Sequence, residues 1–298
     1  MKIPDYSDVW ENFIKDNYFP TNLRNPRTLD FKEFKDIVYN KPEKTKQLIL
    51  DMLSGDVLVL KNALNREEAI KIKKELYDYG NDTPEQDLRE DSKIPNYHIK
   101  NQLRYKIKDG YNELAHSYYF YRWNEDTLKL FNRIDEVWDT VKIFNGLGIN
   151  EYKNNLPEDK IIDRIQVLHY PLNSGEITCH CDKARWQKTN IGFNLTEIGE
   201  DYDVGGAYFL NSDDDEVHME PYIEIGDAPI FLPSIFHGVR TPKSDNHDID
   251  WGASRGRWLL LAQTVQSQCL ENREKSVSLE NYKKDPTKIL ENFKKDYK

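Results

Sequence analysis

The spacing of apolar residues changes character near Pro157. Upstream, the pattern is mostly helical. Residues 1–54 are polar and read as short helical pieces, with Pro4, Pro20, Pro26 and Pro42 as breaks. Residues 55–60 form a brief apolar run with β-branched content, which predicts a strand. Asn65 then caps a helix with Glu67 and Glu68 in its first turn. Ala69, Ile70, Ile72, Leu76 and Tyr77 line that helix, and Gly80 is its expected stop. Residues 81–122 read as loop with irregular or helical stretches. Leu128, Leu130, Phe131, Ile134, Val137, Trp138 and Val141 recur near the 3.6-residue period and predict a helix over 125–144.

Downstream, short strand-like runs alternate with Gly, Pro, Asn and Asp clusters. They cover 164–170, 176–182, 190–195, 206–210, 217–225, 229–232, 238–241 and 258–265. Evenly spaced short strands of this kind predict a β-sandwich or jelly roll. Asn211–Asp215 is one expected hairpin turn, and the chain returns to polar helix after residue 271. No linker demands two independent domains. The expected organisation is one domain over 1–298. A mainly helical flank occupies 1–160 with an early strand near 55–60, a jelly-roll core occupies 161–266, and a helical tail occupies 267–298.

Composition refines this picture. Apolar residues make up only 38% and the net charge is −10, a balance that favours disorder. Against that, 18 Tyr, 12 Phe and 6 Trp supply large side chains for a core, so a folded, soluble, acidic protein is expected. The acidic surface argues against nucleic acid as a partner. No apolar run approaches the roughly 18 residues that span a bilayer, so no membrane partner is expected. The N-terminus carries Asp5 and Asp8 and no apolar core of a secretory signal. With three cysteines and no such signal, a reduced, cytoplasmic protein is expected.

The candidate chemistry lies in Glu176-Ile177-Thr178-Cys179-His180-Cys181-Asp182. On a strand, alternate side chains share a face, so His180 and Asp182 point one way while Cys179 and Cys181 point the other. An imidazole and a carboxylate at i and i+2 can grip one metal ion. His237, after the apolar run 229–232 and at a strand end, offers a third ligand. Two histidines and one carboxylate make the facial arrangement that suits non-haem Fe(II) and leaves positions open for chemistry. Arg257 opens the apolar strand Trp258–Leu261, where a guanidinium needs an anionic partner and matches a carboxylate. A dicarboxylate co-substrate fits that role. Arg240 and Arg255 are rivals for it, and Arg257 is favoured because it directly precedes the apolar strand.

These pieces resemble the Fe(II)/2-oxoglutarate-dependent dioxygenases, in their phytanoyl-CoA hydroxylase and prolyl hydroxylase branch. The resemblance covers roughly residues 160–266. It rests on Arg164–Tyr170, His180-Cys181-Asp182, Gly205-Gly206-Ala207-Tyr208-Phe209, the segment from Gly226-Asp227 to His237, and Gly256-Arg257. It implies an α+β fold with a double-stranded β-helix, or jelly-roll, core and flanking helices. It also implies Fe(II) held by His180, Asp182 and His237, and 2-oxoglutarate held by Arg257 beside Tyr170. In this family the basic residue usually follows the second histidine more closely, so residues 243–254 look like an insertion. The ligand is Asp182 and not the Gly or Ala of related halogenases, which argues against halogenation. The activity implied is hydroxylation of an unactivated C–H with O2, releasing succinate and CO2. The expected substrate is a small molecule, an amino acid or biosynthetic intermediate. A protein side chain, as in prolyl hydroxylation, and a non-catalytic jelly-roll binding protein are the alternatives.

Overall fold

The computed structural model describes residues 3–106, 112–182, 186–245, 247–270 and 276–295. The chain begins with α1 (Ser7–Asp16), β1 (Pro26–Asp30), α2 (Phe31–Asn40), α3 (Pro42–Leu53), β2 (Val57–Lys61) and α4 (Arg66–Asp82). Then come β3 (Tyr97–Lys106), β4 (Asn112–Tyr121) and α5 (Leu130–Phe144). The strand-rich part holds β5 (Ile161–Pro171), β6 (Glu176–Cys181), β7 (Asn190–Asn194), β8 (Val204–Leu210) and β9 (Glu216–His218). It continues with β10 (Ala228–Phe231), β11 (His237–Lys243), β12 (Gly256–Gln266) and β13 (Val277–Ser278), followed by α6 (Leu279–Lys284) and α7 (Pro286–Lys295).

The strands join in the order β1-β2-β10-β7-β12-β5-β4-β6-β11-β8-β9, with β3 on β4 and β13 on β6. This ribbon folds over at the short β4–β6 pairing, Glu113 opposite Ile177 and Leu114 opposite Glu176. Phe209 of β8 meets Phe231 of β10 with ring centroids 4.8 Å apart, which closes one layer onto the other. The result is a jelly-roll core with flanking helices, as expected.

Strand alternation divides the two faces of the larger layer. On β5, Ile165 and Val167 face the main hydrophobic core, as do Trp258, Leu260 and Ala262 on β12. There they meet Trp10, Phe34, Trp138 and Phe144 of the helices. The intervening residues Arg164, Gln166, Leu168 and Tyr170 on β5, and Arg257, Leu259, Leu261 and Gln263 on β12, line a cavity on the other face. A buried ion pair fixes α5 to this sheet: Lys142 Nζ lies 2.5 Å from Asp163 Oδ2, and Thr264 donates to Asp163 Oδ1 at 2.6 Å.

Three expectations are corrected. Residues 81–122 are not mainly irregular or helical. They contain the β3–β4 hairpin, and β4 pairs with both β5 and β6, so sheet strands also come from outside 161–266. The aromatics Tyr118–Tyr121 favour a strand, but the charged and amide residues of β3 hide any alternation. Residues 217–225 are not one strand, because β9 ends at His218 and a 3-10 turn over Glu220–Tyr222 follows. Pro221 cannot donate to a ladder there. Finally, α5 starts at Leu130 rather than 125. Lys129 sits in the left-handed region (φ 53°), and the Asp126 carboxylate takes the N–H groups of Leu130 and Phe131 at 2.7 and 3.0 Å.

The same core holds a chain of buried imidazoles. Thr83 O can only accept, so His98 Nε2 donates to it at 3.0 Å. His98 Nδ1 then accepts from His116 Nε2 at 2.8 Å, and His116 Nδ1 accepts from the Tyr118 hydroxyl at 3.0 Å. His169 stacks on Trp258 at 4.1 Å and donates to Arg255 O at 2.9 Å. Burial pushes His116 down to about 2 and His169 down to about 3. Unfolded imidazoles protonate near 6.5, so below that pH the unfolded chain binds more protons and stability falls. The loss approaches about 1.4 kcal/mol per histidine per pH unit, or about 3 kcal/mol for the pair between pH 6.5 and 5. Denaturant midpoints are therefore expected to fall steeply over that interval, less so in His169→Gln. Midpoints that hold constant from pH 7 to 5 would contradict this.

Candidate active site

Strand β11 pairs antiparallel with β6 and sets His237 opposite His180. Asp182 follows one residue past β6 and stays extended because its N–H donates to Pro233 O at 2.8 Å. Candidate ligand atoms of His180, Asp182 and His237 all lie within 4.8 Å of one another. His180 Nε2 is 3.6 Å from Asp182 Oδ1, and His237 Nε2 is 3.5 Å from Asp182 Oδ2. Among the described residues this is the single His/Cys/Asp/Glu group so placed.

The backbone sets the two imidazoles. His180 Nδ1 donates to Thr178 O and His237 Nδ1 to Ile235 O, each at 2.8 Å. Both Nε2 lone pairs are thereby turned to the carboxylate, as metal ligation requires. Burial, with His237 nearby, pushes His180 down to about 4 and keeps it neutral at pH 7. The carboxylate is held as firmly: Asn190 Nδ2 donates to Oδ2 at 2.9 Å and Ser276 Oγ to Oδ1 at 2.6 Å. Burial opposes the Asp182 charge, but the two histidines and Ser276 outweigh it and hold this carboxyl below the usual range. Ser276 reaches the site because β13 pairs with β6, Ser278 opposite His180.

Arg257 stands directly across from Tyr170 in the β5–β12 ladder. It is only 1% exposed and lines the same cavity as the three candidate ligands. Its Nε donates to Glu220 Oε1 at 3.0 Å, while its Nη1 is buried with no hydrogen-bond partner. Glu220 Oε1 also accepts from the Tyr202 hydroxyl at 2.8 Å and from Ala207 N at 3.1 Å. Gly206, at φ +96°, makes room for this carboxylate, since a Cβ there would overlap it. The rival arginines lie elsewhere. Arg240 is exposed and paired with Glu216, and Arg255 donates to Glu200 O at 3.2 Å.

The cavity measures about 450 Å³. Leu168, Leu259 and Leu261 line its middle, Arg164, Gln166 and Gln263 lie further along the same strands, and Tyr119 of the neighbouring β4 joins them. In the segment that follows the metal strand, Trp186 and Gln187 line the cavity and Lys188 lies over the Trp10 ring. The aromatic run 116–123 divides by alternation, Tyr118 and Phe120 to the core and Tyr119 to the cavity. Sequence reasoning missed Glu113, Asn190, Glu220 and Ser276 as site residues. The pairing of Arg164 with Gln166 on one strand face was the available signal for the cavity wall.

A vacant buried guanidinium nitrogen and an N2O ligand set across one cavity fit both a dicarboxylate and Fe(II). No family model matches the chain, and no curated protein matches it. Among solved structures it is similar to a full-length Neurospora crassa protein in complex with alpha-KG and thymine. The identity is 13%, the match covers 93% of this chain and 98% of that one, and the TM-score is 0.50. Pseudomonas putida prolyl-4-hydroxylase matches at 13% identity over 73% of this chain and 96% of that one, with TM-score 0.44. A Burkholderia pseudomallei oxidoreductase of the 2OG-Fe(II) oxygenase family matches at 10% over 85% and 99%, with TM-score 0.40. At these identities the likeness is one of fold, and the Neurospora structure carries it. The chain has the jelly-roll fold found in 2-oxoglutarate/Fe(II) oxygenases.

Proposed function

We propose that this protein is an Fe(II)- and 2-oxoglutarate-dependent oxygenase that hydroxylates an unactivated C–H of a small molecule. One observation carries the reading: a His180–Asp182–His237 cluster shares its cavity with a buried arginine that keeps one nitrogen unused. His180, Asp182 and His237 would hold the iron, and Arg257 with Tyr170 would hold the far carboxylate of 2-oxoglutarate. Bound there, metal and co-substrate supply O2 activation, and the co-substrate leaves as succinate and CO2.

The chain's own residues do the positioning. The Thr178 and Ile235 carbonyls aim both imidazoles, and Asn190 and Ser276 fix the carboxylate. Glu220 braces Arg257 through one donor and leaves another for the ligand. Leu168, Leu259 and Leu261 exclude water from the middle of the cavity. The cavity volume falls within the usual range for small-molecule sites, which favours a small ligand over a protein side chain. The Neurospora protein, of the same fold, is complexed with a co-substrate and a small base together. No helix among the described residues is long and apolar enough to cross a membrane. Cys179, Cys181 and Cys269 are all free thiols.

Anaerobic Fe(II) addition in the presence of 2-oxoglutarate is expected to give a visible charge-transfer band, and oxygen is then expected to yield succinate. A protein that binds ligand without the band and without succinate is a non-catalytic jelly-roll binder, and the oxygenase reading fails.

A further inference from the structure

Glu113 has no part in the chemistry above. It stands on β4 opposite Ile177 of the metal strand and lines the same cavity. Its one hydrogen-bond partner among the described residues is the Ser117 hydroxyl at 3.3 Å. The other charged groups of that wall are matched. Arg164 Nη1 lies 2.6 Å from Glu90 Oε1 and its Nε donates to Gln263. Arg257 has Glu220, and Asp182 has the metal position between two imidazoles. Glu113 has no lysine, arginine or histidine among the described residues at ion-pair distance.

A lone carboxylate in such a place is costly. Burial, with the nearby Asp182 charge, pushes the Glu113 carboxyl up, and Ser117 and Arg164 offset that only in part. A cation beside it removes the cost. The rest of the loaded site points the same way. Ferrous iron with Asp182 and a doubly charged 2-oxoglutarate is already net negative, and the charge of each wall arginine is balanced by its own glutamate, Arg164 by Glu90 and Arg257 by Glu220. An anionic substrate meets repulsion there, whereas a cationic one meets an acceptor.

We propose that Glu113 is a substrate-recognition residue that receives a protonated amine or guanidinium, so that the substrate is a small cationic molecule. The aliphatic part of that molecule lies against the Leu168–Leu259–Leu261 patch. This inference rests on the cavity being the iron and 2-oxoglutarate site.

The test compares cations with neutral molecules of the same shape. Anaerobic protein loaded with Fe(II) and 2-oxoglutarate is titrated calorimetrically with n-butylguanidinium against n-butylurea, and with n-pentylammonium against 1-pentanol. A charge-assisted contact at a partly buried cavity carboxylate predicts that at least one cation binds about 30-fold tighter than its neutral counterpart. In Glu113→Gln, which keeps the side chain's shape, that ratio is expected to fall to about threefold or less. Equal binding of cation and neutral partner by the wild type overturns the proposal. So does an absence of saturable binding by both cations, or a ratio that survives in Glu113→Gln. The wild-type ratio needs no variant to fold, and none of these readings requires turnover. Succinate release by the wild type is measured separately, so failure of the oxygenase reading is seen apart from failure of the cation reading.

Discussion

Arg257→Leu is expected to raise the KM for 2-oxoglutarate at least about 100-fold, because a buried charge-assisted contact is worth about 1.5–3 kcal/mol and a bidentate one more. The same change strips Glu220 of its cation. That carboxylate is buried among Tyr202, the Ala207 amide and Gly206, so breaking the pair costs about 3–5 kcal/mol of stability. The two losses can be told apart. Arg257→Leu combined with Glu220→Gln removes the uncompensated charge, so its melting temperature is expected to recover most of the way. Its 2-oxoglutarate affinity is not. Arg257→Lys keeps the charge but loses the planar fork, and falls between wild type and the leucine variant. Calorimetric 2-oxoglutarate titrations with parallel thermal melts make the comparison. An unchanged KM in Arg257→Leu would move the co-substrate anchor to another residue.

Asp182→Ala is expected to abolish succinate release and to lower Fe(II) affinity by more than about 100-fold. Losing a residue that merely supports a ligand already costs about 10- to 100-fold, and here the only anionic ligand itself is removed. Two neutral imidazoles hold ferrous iron poorly, and Asn190 and Ser276 lose their acceptor. His180→Ala and His237→Ala are expected to behave alike, since each ring supplies one Nε2 and nothing else among the described cavity residues offers a replacement imidazole. Iron content after anaerobic loading and succinate per turnover are the readouts. Full iron occupancy in Asp182→Ala would place the metal elsewhere.

The His180–Asp182 half of the cluster was legible because it depends on strand period alone. The two residues share a face whenever 176–182 is extended, and the structure keeps it extended with the Asp182–Pro233 hydrogen bond. The division of β5 and β12 into a core face and a cavity face follows from the same period, visible as Ile165 and Val167 against Gln166 and Leu168. The jelly roll was legible for similar reasons, from the regular strand and turn spacing after Pro157. What could not be read was long-range. Glu113 lies in a hairpin whose polar first strand carries no clear alternation, so its face was unassigned. Glu220 belongs to a turn forced by Pro221 inside a stretch that otherwise looks like a strand. Ser276 touches Asp182 across 94 positions, a contact with no local signature. The helical start at Leu130 depends on Asp126 reaching over a left-handed Lys129, again a matter of geometry and not of period.

The pairing of β13 with β6 has a consequence for how the protein matures. All three proposed iron ligands leave the ribosome well before Ser276 does. A nascent chain therefore owns the donors for ferrous iron while Asp182 still lacks one of its two restraints and β6 still has an open edge. With iron held by the proposed ligands, the site would be complete only once the closing segment settles beside the ligand strand.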